Sequence, residues 1–564
     1  MDKTFSRESA PRAPGSAFNF NSVGGGKMKA RFAVRFAIAW GTLVPLAPRA
    51  APLPNIVYIL ADDLGMGDVS AYNPRSKIAT PAMDSLMREG MRFTDAHSGS
   101  SVCTPTRYGI LTGRYAWRTR LKSGVLSADS PRLIEPGRMT VASMLKQQGY
   151  ATACIGKWHL GMDWRDAQDW ALGYTNGPRS VGFDYYFGIA ASLDMNDYAY
   201  LLADGVVRAP TETIAAGIMP AFFRAGKIAP GFRHIDVLPT VADTAVAYLR
   251  RRKAVAASKP FFLYLALPSP HTPHLPLPSF TGKSAAGVRG DYVAETDWAI
   301  GRVRAALDSL GFSGNTLVLV ASDNGAKDYT YKQYGHTPHL DYRGEKADIF
   351  EAGHRIPFSV KWPGVVVPNS VSGETVCLTD FLATAAAVVS FRLPDSAGED
   401  SYSLLPVLLG RPLTAPLREA TVHHSSEGTF AIRQGPYKLT VDNLGSGGFT
   451  APVTLAGPGT LYDLSKNPGE DTAQNLYAAQ PARVAALRAL LAKYKSEGRS
   501  VPRGRVDEFW AGPTYLSGRG SAASAVRGRE GNPPRRTVDG RVSGKARTAG
   551  AAPGILVSTP PDKR

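Results

Sequence analysis

Cysteine is nearly missing from this chain: 564 residues carry three, Cys103, Cys154 and Cys377. Three cysteines spread that widely cannot build a disulfide framework, so the fold must rest on a conventional apolar core, and Cys154 and Cys377 read as small buried apolar residues. Long hydrophobic runs are also scarce. One segment near the N-terminus is apolar for about the length of a signal-peptide core, and nothing else could span a membrane. Nucleic-acid signatures are absent too. The formal net charge is +18, but residues 1–50 hold eight lysines and arginines against two acids and residues 499–564 hold thirteen against five, which leaves +4 on everything between. The basic charge therefore sits in the ends, with no recognition helix, aromatic platform or zinc finger beside it; a modestly positive middle suits an anionic substrate. There are no internal repeats.

The length accommodates one large domain and a smaller one. Residues 1–51 are expected to be a disordered start followed by a secretory signal: Lys29 and Arg31 precede an apolar stretch from Phe32 to Ala47, with small residues after it. The protein is accordingly expected to be exported, periplasmic or secreted, with no stable membrane span and no nucleic-acid partner.

From residue 52 onward apolar runs of strand length alternate with helical patterns. Residues 55–61, 150–155, 260–267 and 316–322 read as buried strands, and 240–251 and 292–310 as helices. That alternation predicts an α/β fold, a doubly wound and mainly parallel sheet. A further strand is expected over 357–362 and a helix over 379–390. Short strands at 429–433, 437–441 and 461–464 and a helix over 481–497 predict a smaller C-terminal α+β domain, an antiparallel sheet with one packed helix. The expected organisation is 52–417 for the large domain, 418–498 for the small one and 499–564 for a disordered basic tail.

Four of the buried runs end in polar groups: Asp62-Asp63, then Lys157 and His159, then His271, then Asp323-Asn324. Adjacent carboxylates after a buried strand are costly unless they bind something, and the carboxyl edge of an open α/β sheet is where ligands bind. Between the first two strands the sequence Cys103-Thr104-Pro105-Thr106-Arg107 opens a helix expected to run to about Thr112 and stop at Gly113. Cys103 then stands at a helix N-terminus, where free N–H groups favour negative charge, with Arg107 one turn on.

These motifs resemble, in order, those of the type I, formylglycine-dependent sulfatases, arylsulfatase-like members of the alkaline phosphatase superfamily. The C-x-P-x-R segment, the Asp-Asp pair, Gly156-Lys157-Trp158-His159, the later histidine, Asp323-Asn324-Gly325 and the Arg343-Gly344-Glu345-Lys346 block carry the match over roughly residues 54–497. The resemblance implies that a maturation enzyme oxidises Cys103 to formylglycine, whose hydrate attacks sulfur. It implies that Asp62, Asp63, Asp323 and Asn324, with matured Cys103, bind one divalent cation. All-oxygen ligands point to calcium, with magnesium the alternative. Arg107, Lys157 and Lys346 would surround the sulfate, His271 would protonate the leaving oxygen, and His159 would assist release of sulfate. His274, three residues after His271, competes for the acid role, whereas His336, His339 and His354 read as surface or loop histidines, the loop that holds His336 and His339 being able to line the pocket. Asp194, Asn196 or Asp197 could bond the hydroxyls of a sulfated sugar, and small aryl sulfates are expected to react as well. The expected function is hydrolysis of sulfate monoesters. Two alternatives stay open: a phosphate or phosphonate ester hydrolase of the same superfamily, and a binder of sulfated glycans that does not cleave them.

Overall fold

The computed structural model describes residues 52–327, 331–441, 445–451, 458–504 and 508–512. The expected leader at 1–51 and the tail beyond residue 512 lie outside them. Asn55–Ala61 (β1), Ala151–Lys157 (β2), Phe261–Ala266 (β3) and Thr316–Ser322 (β4) are strands, every residue of which is buried. The apolar runs therefore form strands covered on both faces, as parallel strands need. β1 lies between β3 and β4 and pairs in parallel with both, and β2 pairs in parallel with β3. This core is extended to a ten-stranded sheet by shorter strands. Tyr185–Ile189 continues it in parallel with β2, whereas Phe358–Lys361 turns antiparallel on β4.

Successive residues of β1 serve opposite faces. The Tyr58 ring packs on Phe381 of the helix Phe381–Val388, centroids 4.6 Å apart. Ile59 points the other way, toward Leu86 of Pro81–Arg88 and Leu307 of Gly287–Ser309. A helix layer on each face thus buries the sheet, and shortening a side chain in it, such as Leu263→Ala, costs about 2–5 kcal/mol. Close approach also fixes glycine at one point: Gly156 has φ 110°, and a Cβ there would stand 1.9 Å from the Ala266 carbonyl oxygen.

The C-terminal part forms a four-stranded antiparallel sheet, Thr421–His424, Phe430–Gln434, Tyr437–Val441 and Gly459–Asp463, with the helix Pro481–Ser496 packed on it. The described residues fall into one compact unit, so this sheet is joined closely to the larger body. The expected disordered tail starts too early in one respect. Arg499, Ser500 and Val501 are buried, Tyr402 Oη donates to the Ser500 carbonyl, and Trp510 lies against Trp362. These few residues are held by polar and ring contacts to distant segments, which composition does not register. Among the described residues no helix is long and apolar enough to cross a membrane.

Candidate active site

Each core strand releases its polar residues at the same sheet edge. β1 ends at Ala61 and delivers Asp62 and Asp63, and β4 ends at Ser322 and delivers Asp323 and Asn324. The two turns are stitched together: Asp63 N donates to Asp323 Oδ1 at 3.2 Å and Asn324 Nδ2 donates to Asp63 Oδ1 at 2.7 Å. Facing them is the helix Cys103–Thr112, which Gly113 ends in the left-handed conformation at φ 63°. Cys103 occupies its first position. Arg107, one turn later and fully buried, holds Asp323 Oδ2 from Nε and Nη2 at 3.0 and 2.7 Å, and its Nη1 reaches the Lys157 carbonyl.

Two lysines complete the cationic half. Lys157 Nζ donates to Asp62 Oδ2 at 2.6 Å, and Lys346 Nζ donates to Asp63 Oδ2 at 2.8 Å. His271 Nε2 stands 3.7 Å from Asp63 Oδ2, while its Nδ1 lies 2.7 Å from the Thr272 carbonyl. His159 has Nε2 2.7 Å from the Leu126 carbonyl, so that nitrogen carries the proton and Nδ1 is left as an acceptor without a described partner. All ten residues expected from sequence are thereby gathered at one edge.

Three buried carboxylates against three buried cations set the titration. Burial opposes ionisation of Asp62, yet Lys157, His271 and Arg107 hold it well below the usual range. Burial is likewise outweighed at Asp63, chiefly by Lys346. Asp323 goes the other way: burial and then the Asp62 charge push it up to about 7. Burial pushes the Cys103 thiol up to about 12 despite Lys157 and Lys346, so as a thiol it is protonated at neutral pH. Burial, then the charges of Lys157 and Arg107, keep His159 far below the usual imidazole range and therefore neutral.

Comparison with known proteins decides what the constellation belongs to. The Sulfatase family model matches residues 54–390. The chain belongs to the sulfatase family. It is 34% identical to an N-acetylgalactosamine-6-O-sulfatase of Bacteroides thetaiotaomicron over 487 residues, 78% of this chain and 93% of that one. It is also 34% identical to arylsulfatase A of Bos taurus, over 79% of this chain and 86% of that one. A solved structure from Bacteroides thetaiotaomicron, described with the metabolism of multiple glycosaminoglycans, matches with TM-score 0.70 at 32% identity, covering 79% of this chain and 100% of that one. As a sulfatase the protein hydrolyses sulfuric esters.

The sulfatase family implies a divalent metal site, and the residues present fit one. Ligand atoms of Asp62, Asp63, Cys103 and His271 lie within 4.8 Å of one another, all buried. Asp62 Oδ1 and Asn324 Oδ1 are buried and take no hydrogen bond from any described residue. Hard oxygens that take no hydrogen bond, beside carboxylates of which one is driven to hold a proton, suit a divalent cation whose binding releases that proton.

Several side readings need adjustment. His336 lies in a loop as expected but is buried, with Nε2 3.0 Å from Asp68 Oδ1, whereas His354 belongs to the short helix Glu351–His354 and is inaccessible. Both sit against charged partners from distant segments, which no local pattern reveals. Of the two candidate acids, His271 is the one beside Asp63; burial and the charges of Arg289 and His271 push His274 down to about 3. Of the three proposed sugar contacts only Asp194 approaches the site, 3.9 Å from His271 Nδ1, with Oδ1 unpartnered among the described residues and Oδ2 held by Arg224 at 2.5 Å. Asp197 instead accepts the Lys227 N–H, and Asn196 packs against Gly226.

Proposed function

We propose that the protein is an exported hydrolase of sulfated sugars, that Cys103 is converted to formylglycine by a formylglycine-generating enzyme, and that its hydrate is the nucleophile. The observation that carries this reading is the placement of Cys103. It is the first residue of a helix, its side chain shares one small volume with Asp62, Asp63 and His271, and Arg107 follows one turn on. Asp62, Asp63, Asp323, Asn324 and the matured residue 103 would hold one cation, calcium by the number and hardness of the oxygens and magnesium as the alternative. Bound there, it would polarise the sulfate and favour ionisation nearby.

The chain's own groups then divide the work. One hydroxyl of the hydrate at position 103 attacks sulfur in line with the leaving alcohol and gives its proton to the carboxylate of Asp323. Arg107, Lys157 and Lys346 spread the charge on the sulfate oxygens, and donors already fixed by Asp323, Asp62 and Asp63 need little reorganisation to do so. Proton delivery to the leaving oxygen falls to His271, the imidazole beside Asp63. The alcohol departs and a sulfated hydrate remains on residue 103. The second hydroxyl then loses its proton, with the unpartnered Nδ1 of neutral His159 as acceptor, and collapse to the aldehyde expels sulfate. A simple ester of serine or cysteine has no second hydroxyl and would need water to break it.

A sugar substrate is supported by the Bacteroides relative, which acts on N-acetylgalactosamine 6-sulfate groups by its name, and by Asp194, whose buried, unpartnered oxygen beside His271 suits a sugar hydroxyl. Export is supported by the expected leader, and the maturation enzyme by Cys103 in its C-x-P-x-R setting. The test is turnover of 4-nitrophenyl sulfate and of N-acetylgalactosamine 6-sulfate by protein exported with the maturation enzyme, beside Cys103→Ala. Turnover of both by the parent and neither by the variant is expected. Turnover by Cys103→Ala at the parent's rate would overturn the nucleophile assignment, and cleavage of the aryl ester alone would overturn the sugar assignment.

A further inference from the structure

We propose that Asp68, Arg289 and His336 act as one positioning group for Asp63, holding it in the conformation that a metal ligand at this site requires. The inference rests on the metal reading above and adds residues to it that contact no substrate. Asp63 has φ 65°, in the left-handed region that costs a residue with a side chain about 1–2 kcal/mol. Such a conformation persists where the surroundings impose it. Here the imposing contact is Arg289, which projects from the helix Gly287–Ser309 and donates from Nη2 to the Asp63 carbonyl at 2.6 Å.

Arg289 is itself fixed. Asp68 grips its guanidinium with both oxygens, at 3.0 Å from Nη1 and 2.9 Å from Nη2, and Asp68 Oδ2 also accepts the Gly65 N–H at 2.8 Å. All three members of the group are at least nine-tenths buried. Burial alone would favour the neutral acid at Asp68, but Arg289 and His336 hold it below the usual range, so it is ionised. His336 takes the Lys77 N–H at Nδ1 and therefore presents its Nε2 proton to Asp68 Oδ1. His336 belongs to a segment seated directly on the ligand turn. Gly67 N donates to the Pro338 carbonyl at 2.7 Å, and a Cβ on Gly65 or Gly67 would stand 2.3 Å from the Pro338 oxygen or 2.0 Å from the Thr337 oxygen.

The arrangement has one outcome for chemistry. The turn 62–68 is clamped from one side by a helix and from the other by residues 336–338, and Asp68 is the charge both clamps share. Release of the Asp63 carbonyl lets φ relax to negative values and swings the carboxylate away from Asp62 and Asp323. Metal-site partners of this kind are typically worth 10–100-fold in metal affinity.

The experiment is a calcium and a magnesium titration of the full-length, metal-stripped protein followed by thermal unfolding, with no substrate present. For the parent, Tm should rise with cation. For Arg289→Met the free cation needed for half of that rise should increase about 10–100-fold, on top of a Tm loss shared by stripped and loaded protein because Asp68 is left without its buried cation. His336→Ala should shift the midpoint in the same direction by a smaller factor, and decides the matter if Arg289→Met does not fold. Parental cation midpoints in both variants would show a packing role only and overturn the proposal. A parent that responds to neither cation would instead overturn the metal reading on which it stands.

Discussion

Replacing Lys438 by methionine should cost about 3–5 kcal/mol at pH 8, although Lys438 lies in a strand of the C-terminal sheet and reaches no group at the reaction centre. Its ammonium is completely buried, donates to Glu351 Oε1 at 3.1 Å and to His354 Nε2 at 3.0 Å, and forms an ion pair with Glu470 Oε1 at 2.9 Å. Behind it runs a chain of neutral histidines. His97 Nε2 donates to Asp95 Oδ1 at 2.8 Å, His97 Nδ1 then accepts from His354 Nδ1 at 3.0 Å, and His354 Nε2 accepts from Lys438. Burial holds His97, His354 and His423 below the usual imidazole range. The cluster is not a second metal site: the His354 and His423 rings stack at 3.8 Å and 10°, so their in-plane lone pairs run in parallel planes and cannot converge on one ion. Methionine keeps the volume and removes the charge, which takes the ammonium away from buried Glu470 and leaves Glu351 to Arg355. Burial tends to raise Glu351, but Lys438 and Arg355 hold it well below the usual range, so its contribution is present above about pH 4.3 and is lost as pH falls through the depressed folded value. Without Lys438 the buried acids recover by taking up protons, and the deficit should shrink by pH 5. Urea unfolding by tryptophan fluorescence at pH 8 and pH 5 measures both quantities. A loss under about 1 kcal/mol at pH 8, or an equal loss at both pH values, would refute the reasoning.

Two further outcomes follow from the same geometry. His271→Ala should lower kcat about 10²–10⁴-fold on a sugar sulfate, whose alkoxide needs a proton, and far less on 4-nitrophenyl sulfate, whose leaving group does not; equal losses would remove His271 from the acid role. Glu295 has Oε2 on the Leu277 N–H and Oε1 buried without a described partner, and burial raises its carboxyl to about 7. Because the folded protein keeps that proton where the unfolded chain has lost it, this group's stability is complete below about pH 4.5 and lost as pH rises through about 7. Glu295→Gln should therefore gain on the order of 2 kcal/mol over the parent between pH 5 and pH 8 in urea unfolding, and parallel pH profiles would contradict this.

How much of this was legible in the sequence depended on whether a residue's neighbours lay nearby in the chain. β1 and β4 were readable to the residue, because seven buried and mostly apolar positions followed by paired polar ones form a local signal. The helix Cys103–Thr112 was readable for the same reason, with proline inside its start and glycine after its end. The site followed, since an α/β sheet collects the ends of its strands. The two-residue strands Leu201–Leu202 and Gly205–Val206 at the sheet edge are too short to carry a period. Lys438 reads as the solvated face of an alternating strand, but Glu351 and Glu470, 87 and 32 positions away, draw it inward. The same holds for His97, His354 and His423, and for Arg289, which sits in a helical pattern with nothing local to announce Asp63 as its partner.

The account depends most on what occupies position 103, and mass spectrometry of the peptide containing Cys103, from protein exported by its native host, tests that directly. The expected result is a mass corresponding to an aldehyde at that residue, with capture by a hydrazine reagent. An unmodified thiol at Cys103 in protein that actively hydrolyses sulfate esters would contradict the account.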